Sequence, residues 1–212
     1  MSLATEAPGI PAERPRLVEF EVETSIPTRH GSFRFRAYRD LVTGSEHLAI
    51  VSGRPAAHGA LVRVHSECLT AEAFGSEKCE CGPQLDFALS TIAASDGVVI
   101  YMRGHEGRGI GLIAKLKAYR LQETGLDTLD ANIALGLPAD DRDYAAAAAI
   151  LDDLGLRSVR LLTNNPEKIS QLSASGIEVI ERVPLVTGKA ASNLTYLRAK
   201  RDRMGHLFAA DI

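Results

Sequence analysis

The chain has 212 residues, of which 45% are hydrophobic and 24% are charged, and its formal net charge at pH 7 is −3. This profile predicts a globular protein with one packed core, and no apolar run approaches the roughly 20 residues that cross a membrane. The acidic balance, the absence of tryptophan and an aromatic share of 5% argue against a nucleic-acid-binding protein, which needs a basic face or stacking platforms.

The N-terminal part of the chain is predicted to be a flexible leader followed by strands. Residues 1–16 contain prolines but no hydrophobic periodicity, and they lack a signal-peptide pattern, so we expect a loose leader on a cytoplasmic protein. Apolar and polar residues alternate over Val18–Glu23 and Phe33–Arg36, which predicts strands, and His47–Val51 and Leu61–Val64 add two more. We therefore expect the first third of the chain to be β-rich and antiparallel.

Helices and short apolar strands alternate through the rest of the chain. In order, the predicted elements are a helix beginning near Pro83, a strand at Val98–Tyr101, a glycine-rich loop at Arg103–Gly111, a helix at Leu112–Glu123, a helix at Ala145–Leu154, a strand at Val159–Leu162, a helix after Pro166, a strand at Ile177–Ile180 and a helix at Tyr196–Phe208. The fold class that fits is α+β (mixed α/β). We expect a single domain over residues 17–212, with a β-rich N-terminal half and helices flanking a mixed sheet.

The chain's three cysteines, Cys68, Cys79 and Cys81, fall close together. An odd number of cysteines cannot pair completely in internal disulfides, so a shared metal ion is the leading interpretation. Three thiolates leave the fourth position of a tetrahedral zinc site open to water, which is typical of catalytic zinc. The spacing leaves two alternatives open: a structural Cys3His site closed by His65 or His105, and three buried cysteines without a metal.

Polar segments near the cysteines suit an anionic ligand. Arg63–Glu67 ends an apolar strand directly before the first cysteine, although a solvated strand end would have the same composition. His105–Gly111 follows a strand and opens a helix, so its glycines and the helix N-terminus could receive a phosphate, or simply form a tight turn. Asp140–Asp143 and Thr163–Pro166 are equally compatible with helix starts and with ligand contacts.

Taken together, these segments resemble GTP cyclohydrolase II over roughly residues 24–208, in the order and spacing of that family. The motifs that carry the resemblance are RVHSEC at 63–68, CEC at 79–81 with GPQL after it, EGRGIGL at 106–112, DTLDAN at 127–132, DDRDY at 140–144, RLLTNNPEK at 160–168 and MGHLF at 204–208. The resemblance implies one catalytic Zn²⁺ per chain, held by Cys68, Cys79 and Cys81. It also implies GTP with its Mg²⁺ as the substrate, a homodimer, and no nucleic-acid or membrane partner.

The resemblance also implies a set of substrate-binding and catalytic residues. Those implied to bind GTP are Arg63, Val64, His65, Ser66, Glu67, Gln84, Glu106, Gly107, Arg108, Thr128, Thr163 and Lys168. Glu106 and Gln84 suit the guanine edge, and the cationic side chains suit the triphosphate.

Three further residues are implied to be catalytic: Asp140, Arg142 and Tyr119. The family assigns Arg142 as a nucleophile at phosphorus with Asp140 as its proton acceptor. A guanidinium with a pKa above ~12 is a poor nucleophile, so stabilising the phosphoryl transition state is the alternative role for Arg142. Tyr119 matches a tyrosine that positions a water or reacting group, and its plainer role is a half-buried aromatic residue on an amphipathic helix.

The implied reaction is zinc- and magnesium-dependent hydrolysis of GTP to 2,5-diamino-6-ribosylamino-4(3H)-pyrimidinone 5′-phosphate, formate and pyrophosphate, the first committed step of riboflavin biosynthesis. The alternative is a paralogue that opens the imidazole ring and releases pyrophosphate but retains the formyl group. Tyr119 favours the complete reaction.

Two features depart from the family pattern. The loop reads Arg103-Gly104-His105-Glu106 where we expect arginine and glutamine before the glutamate. Many relatives are also fused to 3,4-dihydroxy-2-butanone 4-phosphate synthase, whereas we expect this chain to be a stand-alone form with one activity.

Overall fold

The computed structural model describes residues 15–208, apart from the side chain of Thr195, so the predicted leader lies outside the described residues except for its last two positions. The strands are β1 (Val18–Thr28), β2 (Gly31–Asp40), β3 (Glu46–Val51), β4 (His58–Ser66), β5 (Gly97–Met102), β6 (Ser158–Leu162) and β7 (Glu178–Val183). The helices are α1 (Leu69–Glu72), α2 (Cys81–Ala93), α3 (Leu112–Gln122), α4 (Thr128–Ala134), α5 (Ala145–Asp153), α6 (Pro166–Ala174) and α7 (Leu194–Met204), with a short 3₁₀ helix at Ala191–Asn193.

The strands form one mixed sheet in the order β1-β2-β3-β5-β4-β6-β7, which confirms the predicted mixed α/β fold. The pairs β1–β2, β2–β3 and β3–β5 are antiparallel, whereas β5–β4, β4–β6 and β6–β7 are parallel. The expectation of an antiparallel first third is therefore correct for β1–β3 and wrong for β4. The chain returns from β4 to β5 through α1 and α2, and such a helical crossover places the two strands in parallel.

Apolar side chains cover both faces of the sheet. On one face, Val62, Ile100 and Leu161 pack with Ile150 of α5 and Leu172 of α6 in the main core. On the other face, Phe33, Ile50 and Val99 pack against Ala88 and Ile92 of α2. Burial on both faces explains why the central strands read as continuous apolar runs in the sequence.

A glycine at the start of β5 allows the close approach between the sheet and α2. A Cβ atom added at Gly97 would lie 2.6 Å from the Leu61 carbonyl oxygen and 2.9 Å from Ile92 Cγ2. Because real Cβ atoms do not approach other atoms so closely, any larger residue there would push β5 away from β4 or from α2.

Two helical predictions need correction. The predicted helix at Tyr196–Phe208 is too long, because α7 ends at Met204: Gly205 adopts a left-handed conformation with φ +64° and its N–H bonds the Lys200 carbonyl. The short helix α4 was not predicted, although the Asp127 side chain caps it by accepting bonds from the Leu129 and Asp130 N–H groups.

The carboxyl ends of β4, β5 and β6 lie at the same edge of the sheet, because the three strands are parallel. The segments that follow these strands therefore meet there, at the edge where open α/β sheets bind their ligands. Within residues 15–208, none of the helices has the length and apolar character needed to cross a membrane.

Candidate functional site

A cleft of about 990 Å³, counted with the solvent space at its mouth, lies at this edge of the sheet. The predicted site residues that line it are Arg63, His65, Ser66, Glu67, Cys68, Cys79, Cys81, Gln84, Glu106, Gly107, Arg108, Tyr119, Thr128, Arg142, Thr163 and Lys168. Val64 and Asp140 do not line it; the Val64 carbonyl accepts a bond from Lys168, and Asp140 pairs with Arg142.

The three cysteines converge in this cleft from the starts of α1 and α2. Their Sγ atoms all lie within 4.8 Å of one another, and the Cys68 and Cys79 sulfurs are 3.6 Å apart. Thiolates bound at about 2.3 Å to a tetrahedral zinc lie about 3.8 Å apart, so this spacing fits the metal.

Neither histidine of the alternative Cys3His site joins the cysteines in the described part of the chain. His65 bonds the Glu72 carboxylate through Nε2 at 2.8 Å and stacks on Tyr101. His105 bonds the Ser66 hydroxyl through Nδ1 at 3.2 Å. The cluster is therefore a three-sulfur set, which suits a site with one exchangeable position.

Neighbouring groups shift the pKa values of Cys68 and Cys79 in opposite directions. Hydrogen bonds from the Cys79 and Cys81 thiols, together with the Lys115 ammonium group, hold the pKa of Cys68 well below its ordinary range. The hydrogen bond with Cys68 conversely raises the pKa of Cys79 to about 11. A bound divalent cation would favour the thiolate form of all three cysteines.

The side chains of Glu106 and Gln84 both form hydrogen bonds with other residues of the protein. The two Glu106 oxygens accept bonds from Lys115 Nζ at 2.6 Å and from the Leu69 N–H at 2.7 Å. Gln84 accepts from Arg63 Nη2 at 2.8 Å and donates to Glu80 at 3.3 Å. Glu106 Oε1 also accepts a bond from the Gly107 N–H at 3.1 Å, so Oε2 keeps the free acceptor position. Contact with a guanine base stays a prediction for Glu106 and for Gln84.

Three buried cations in the cleft have no carboxylate partner among residues 15–208. Arg63 donates to the Leu162 carbonyl at 2.9 Å, and Lys168 Nζ donates to the Val64 carbonyl at 2.7 Å. Arg108 reaches the Ala139 carbonyl at 3.4 Å, while its Nη2 is buried with no hydrogen-bond partner.

Burial without a counter-charge also weakens the charged forms of Arg63 and Lys168. It lowers the pKa of Arg63 to about 10 and holds the pKa of Lys168 well below its ordinary value, to which Arg63 and Arg142 contribute further. Buried positive charge left unpaired by the protein favours an anionic ligand.

Arg142 differs from these cations because it has its own carboxylate. Its Nε donates to Asp140 Oδ1 at 2.8 Å, and its Nη2 donates to the other oxygen. Burial opposes the charge of Arg142, but the hydrogen bonds and charge of Asp140 outweigh burial and place its pKa above the ordinary value. Arg142 is therefore held as a cation, with Nη1 3.5 Å from the Ser66 hydroxyl.

Tyr119 lies one turn after Lys115 on α3, beside the cysteines. The Lys115 ammonium group is 5.6 Å from its ring centroid. Burial raises the pKa of Tyr119 above its ordinary value, so the phenol stays protonated and can donate a hydrogen bond at neutral pH.

Sequence reasoning missed the contribution of α7 and the segment after it. Tyr196, Lys200 and His206 line the cleft, and Lys200 Nζ pairs with the buried Glu80 at 2.6 Å. Arg203 ties α7 to the start of α4 through ion pairs with Asp127 and with Asp130. The spacing of Tyr196 and Lys200, one helical turn apart, was a signal that they share a face, but nothing local indicated where that face would dock.

Comparison with known proteins gives consistent matches. The family model described as GTP cyclohydrolase II matches residues 19–184. A riboflavin biosynthesis protein RibBA from Mycolicibacterium gilvum is 58% identical over 190 residues, covering 87% of this chain and 45% of that protein. The RibBA protein of Mycobacterium tuberculosis strain H37Rv is 56% identical over 195 residues, covering 89% of this chain and 46% of that protein.

The chain thus spans a little under half the length of these curated relatives. Among solved structures, a two-domain 3,4-dihydroxy-2-butanone 4-phosphate synthase from A. baumannii, RibBX, matches with a TM-score of 0.42 and 21% identity, covering 79% of this chain and 41% of that one.

Proposed function

The chain belongs to the GTP cyclohydrolase II family, and we propose that it hydrolyses GTP to 2,5-diamino-6-ribosylamino-4(3H)-pyrimidinone 5′-phosphate, formate and pyrophosphate. This reaction would be the first committed step of riboflavin biosynthesis. The observation that carries the proposal is that one cleft contains both a cluster of three cysteines able to hold a metal ion and three buried cations with no carboxylate partner among residues 15–208. A nucleotide triphosphate that reacts at its base and at its phosphates needs both features side by side.

Cys68, Cys79 and Cys81 would hold one zinc ion at the end of the cleft that receives the base. When bound, zinc supplies a Lewis acid that lowers the pKa of water toward neutrality for attack at guanine C8. Tyr119 would orient this water or donate a proton as the ring opens, because its phenol stays protonated beside the cysteines. Glu106 and Gln84 would read the guanine edge through the acceptor and donor capacity that their protein contacts leave free.

The triphosphate would bind to Arg63, Arg108 and Lys168, with Mg²⁺ sharing its charge. Backbone donors around Gly107 and the hydroxyl groups of Thr128 and Thr163 would complete this part of the site, together with the segment formed by Val64, His65, Ser66 and Glu67. A close backbone approach is supported at Gly107, where an added Cβ would lie 3.0 Å from Lys115 Cβ and φ is +62°.

Arg142 would act as a fixed cation at the α-phosphate. Its two bonds to Asp140 and its raised pKa favour stabilisation of the phosphoryl transition state over nucleophilic attack by a neutral guanidine. Asp140 would orient Arg142, and water would displace pyrophosphate.

The same resemblance supports a cytoplasmic homodimer that binds neither nucleic acid nor membranes. Size-exclusion chromatography with light scattering would test the dimer.

A product assay tests the proposed reaction. We expect purified protein loaded with zinc to release formate and pyrophosphate in equal amounts from GTP with Mg²⁺, and Cys79→Ser to lose formate release. Pyrophosphate without formate would instead assign the formyl-retaining reaction. Neither product, from folded and metal-loaded protein, would overturn the proposal.

A further inference from the structure

We propose that Lys115 is a positioning residue for the metal site: its ammonium group donates a hydrogen bond to the Cys68 sulfur and thereby limits how much charge this thiolate gives to the metal. The inference rests on the proposed function insofar as it requires a metal ion at the three cysteines. It assigns a role to a residue that neither the motifs nor the expected GTP contacts include.

The contacts of Lys115 use all the donors of its ammonium group. The side chain is buried, with 6% of the residue exposed, and Nζ lies 3.1 Å from Cys68 Sγ, 2.8 Å from Thr70 Oγ1 and 2.6 Å from Glu106 Oε1. An ammonium group has three N–H donors, so each contact takes one and the orientation of the group is fixed. A lysine that only balanced the charge of Glu106 would not need the other two partners.

The start of α3 and the loop before it position the Lys115 side chain. Lys115 lies in the first turn of α3, where its N–H bonds the Gly111 carbonyl at 3.0 Å. The loop passes directly over the base of its side chain at Gly107, where the absence of a Cβ avoids the 3.0 Å contact that any other residue would make. Gly107 therefore leaves the space that the buried Lys115 side chain occupies.

The hydrogen bond distinguishes Cys68 from the other two cysteines. Among the described residues, Lys115 is the cation that donates to a cysteine sulfur, and Cys68 is its acceptor. Three thiolates and one divalent zinc ion carry a net charge of about −1, and the ammonium group places its positive charge beside one of the three sulfurs. A thiolate that accepts such a bond is a weaker electron donor, so the metal keeps more of its Lewis acidity.

Cobalt substitution gives a readout of this bond that is independent of turnover. Co²⁺ bound by thiolates absorbs through sulfur-to-metal charge transfer, and the energy of this band falls as the sulfur becomes a better donor. We expect Lys115→Met in the cobalt-loaded protein to move the band to longer wavelength. With zinc, the same substitution should lower kcat about 10- to 100-fold with KM for GTP changed by less than about threefold.

Matched variants separate the hydrogen bond from other consequences of the substitution. Lys117→Met, on the exposed side of the same helix, should leave band and kcat unchanged. Lys115→Arg keeps charge and donors and should return the band toward its original position. Lys115→Met with Glu106→Gln avoids a buried unpaired carboxylate, so the spectrum can be read even if the single variant does not fold.

Each outcome decides the inference. A shift in the Met variants that Lys115→Arg reverses supports it. An unchanged band in Lys115→Met, or in the double variant, at full cobalt occupancy overturns it while leaving the proposed function intact. The lack of any thiolate-to-cobalt band in the unsubstituted protein would overturn the proposed metal site and this inference with it.

Discussion

Replacing Lys168 by methionine should make the ligand-free protein more stable and its affinity for phosphates lower. Lys168 is 4% exposed, and its Nζ bonds the Val64 carbonyl instead of a carboxylate. Its pKa lies well below the ordinary value because of burial first and the neighbouring Arg63 and Arg142 second. A lysine with a depressed pKa in the folded state destabilises that state at every pH below its unfolded pKa of about 10.4, so the penalty is present at neutral pH.

The expected size of the stability change follows from two opposing contributions. Replacing buried ion pairs by apolar side chains of similar volume stabilises proteins by about 1–4 kcal/mol in favourable cases, and we take the same range for Lys168, which has the cost of burial without a paired carboxylate. The Val64 carbonyl loses a donor, which costs about 1 kcal/mol. The net gain of about 0–3 kcal/mol corresponds to a rise in Tm of up to about 10 °C for a chain of this size.

Thermal unfolding with and without pyrophosphate measures both effects. For the unsubstituted protein, pyrophosphate at about 100 times its Kd should add about 2.7 kcal/mol to the free energy of unfolding. Lys168→Met should lose most of that gain, because one charge-assisted bond of about 1.5–3 kcal/mol is removed. Lys117→Met, an exposed lysine on α3, is the control. A clear fall in Tm without pyrophosphate, combined with an undiminished pyrophosphate effect, would refute the reasoning.

Three further substitutions test the catalytic roles. Arg142→Lys keeps the charge but loses the two-point contact with Asp140, so pyrophosphate release should fall about 100- to 1,000-fold; unchanged release would exclude Arg142 from the phosphoryl step. Asp140→Asn should lower pyrophosphate release while zinc content, measured by atomic absorption, stays unchanged. Tyr119→Phe should reduce formate more than pyrophosphate in the same product assay, and an equal loss of both products would remove the specific role of Tyr119 in ring opening.

Local patterns predicted much of the fold because they depend on neighbouring residues. The apolar runs of β5 and β6, and Asn165 with Pro166 at the start of α6, were recognised from residues that interact within a few positions. The direction of β4 was not, because parallel pairing depends on the crossover that follows the strand. The cap of α4 by Asp127 is likewise a local signal, because it involves residues within three positions of each other.

The candidate site was predicted to the extent that its residues lie in motifs. Cys68, Cys79 and Cys81 were found from their proximity in sequence, and the structure brings their sulfurs together. The pairing of Lys200 with Glu80 joins residues far apart in the chain, so no periodicity indicated it. Lys115 lies in α3 outside the recognised motifs. Its spacing of four residues from Tyr119 is the local signal that the two side chains share a face of the helix.

The charges of the cleft explain why the site carries buried cations that cost stability. Three cations are neutralised by the protein itself: Lys115 with Glu106, Arg142 with Asp140, and Lys200 with Glu80. Arg63, Arg108 and Lys168 have no carboxylate partner among the described residues, and they contribute three positive charges when all three are protonated. A zinc ion on three thiolates contributes about −1, and a nucleoside triphosphate with one Mg²⁺ contributes about −2.

The charges of the three cations, the zinc cluster and the triphosphate sum to about zero. The empty cleft instead carries an excess of positive charge, which is unfavourable because the charge is buried. Glu67, which accepts a bond from the Gly104 N–H, changes the sum by one charge at most. The arrangement therefore favours the cleft with an anionic triphosphate bound over the empty cleft.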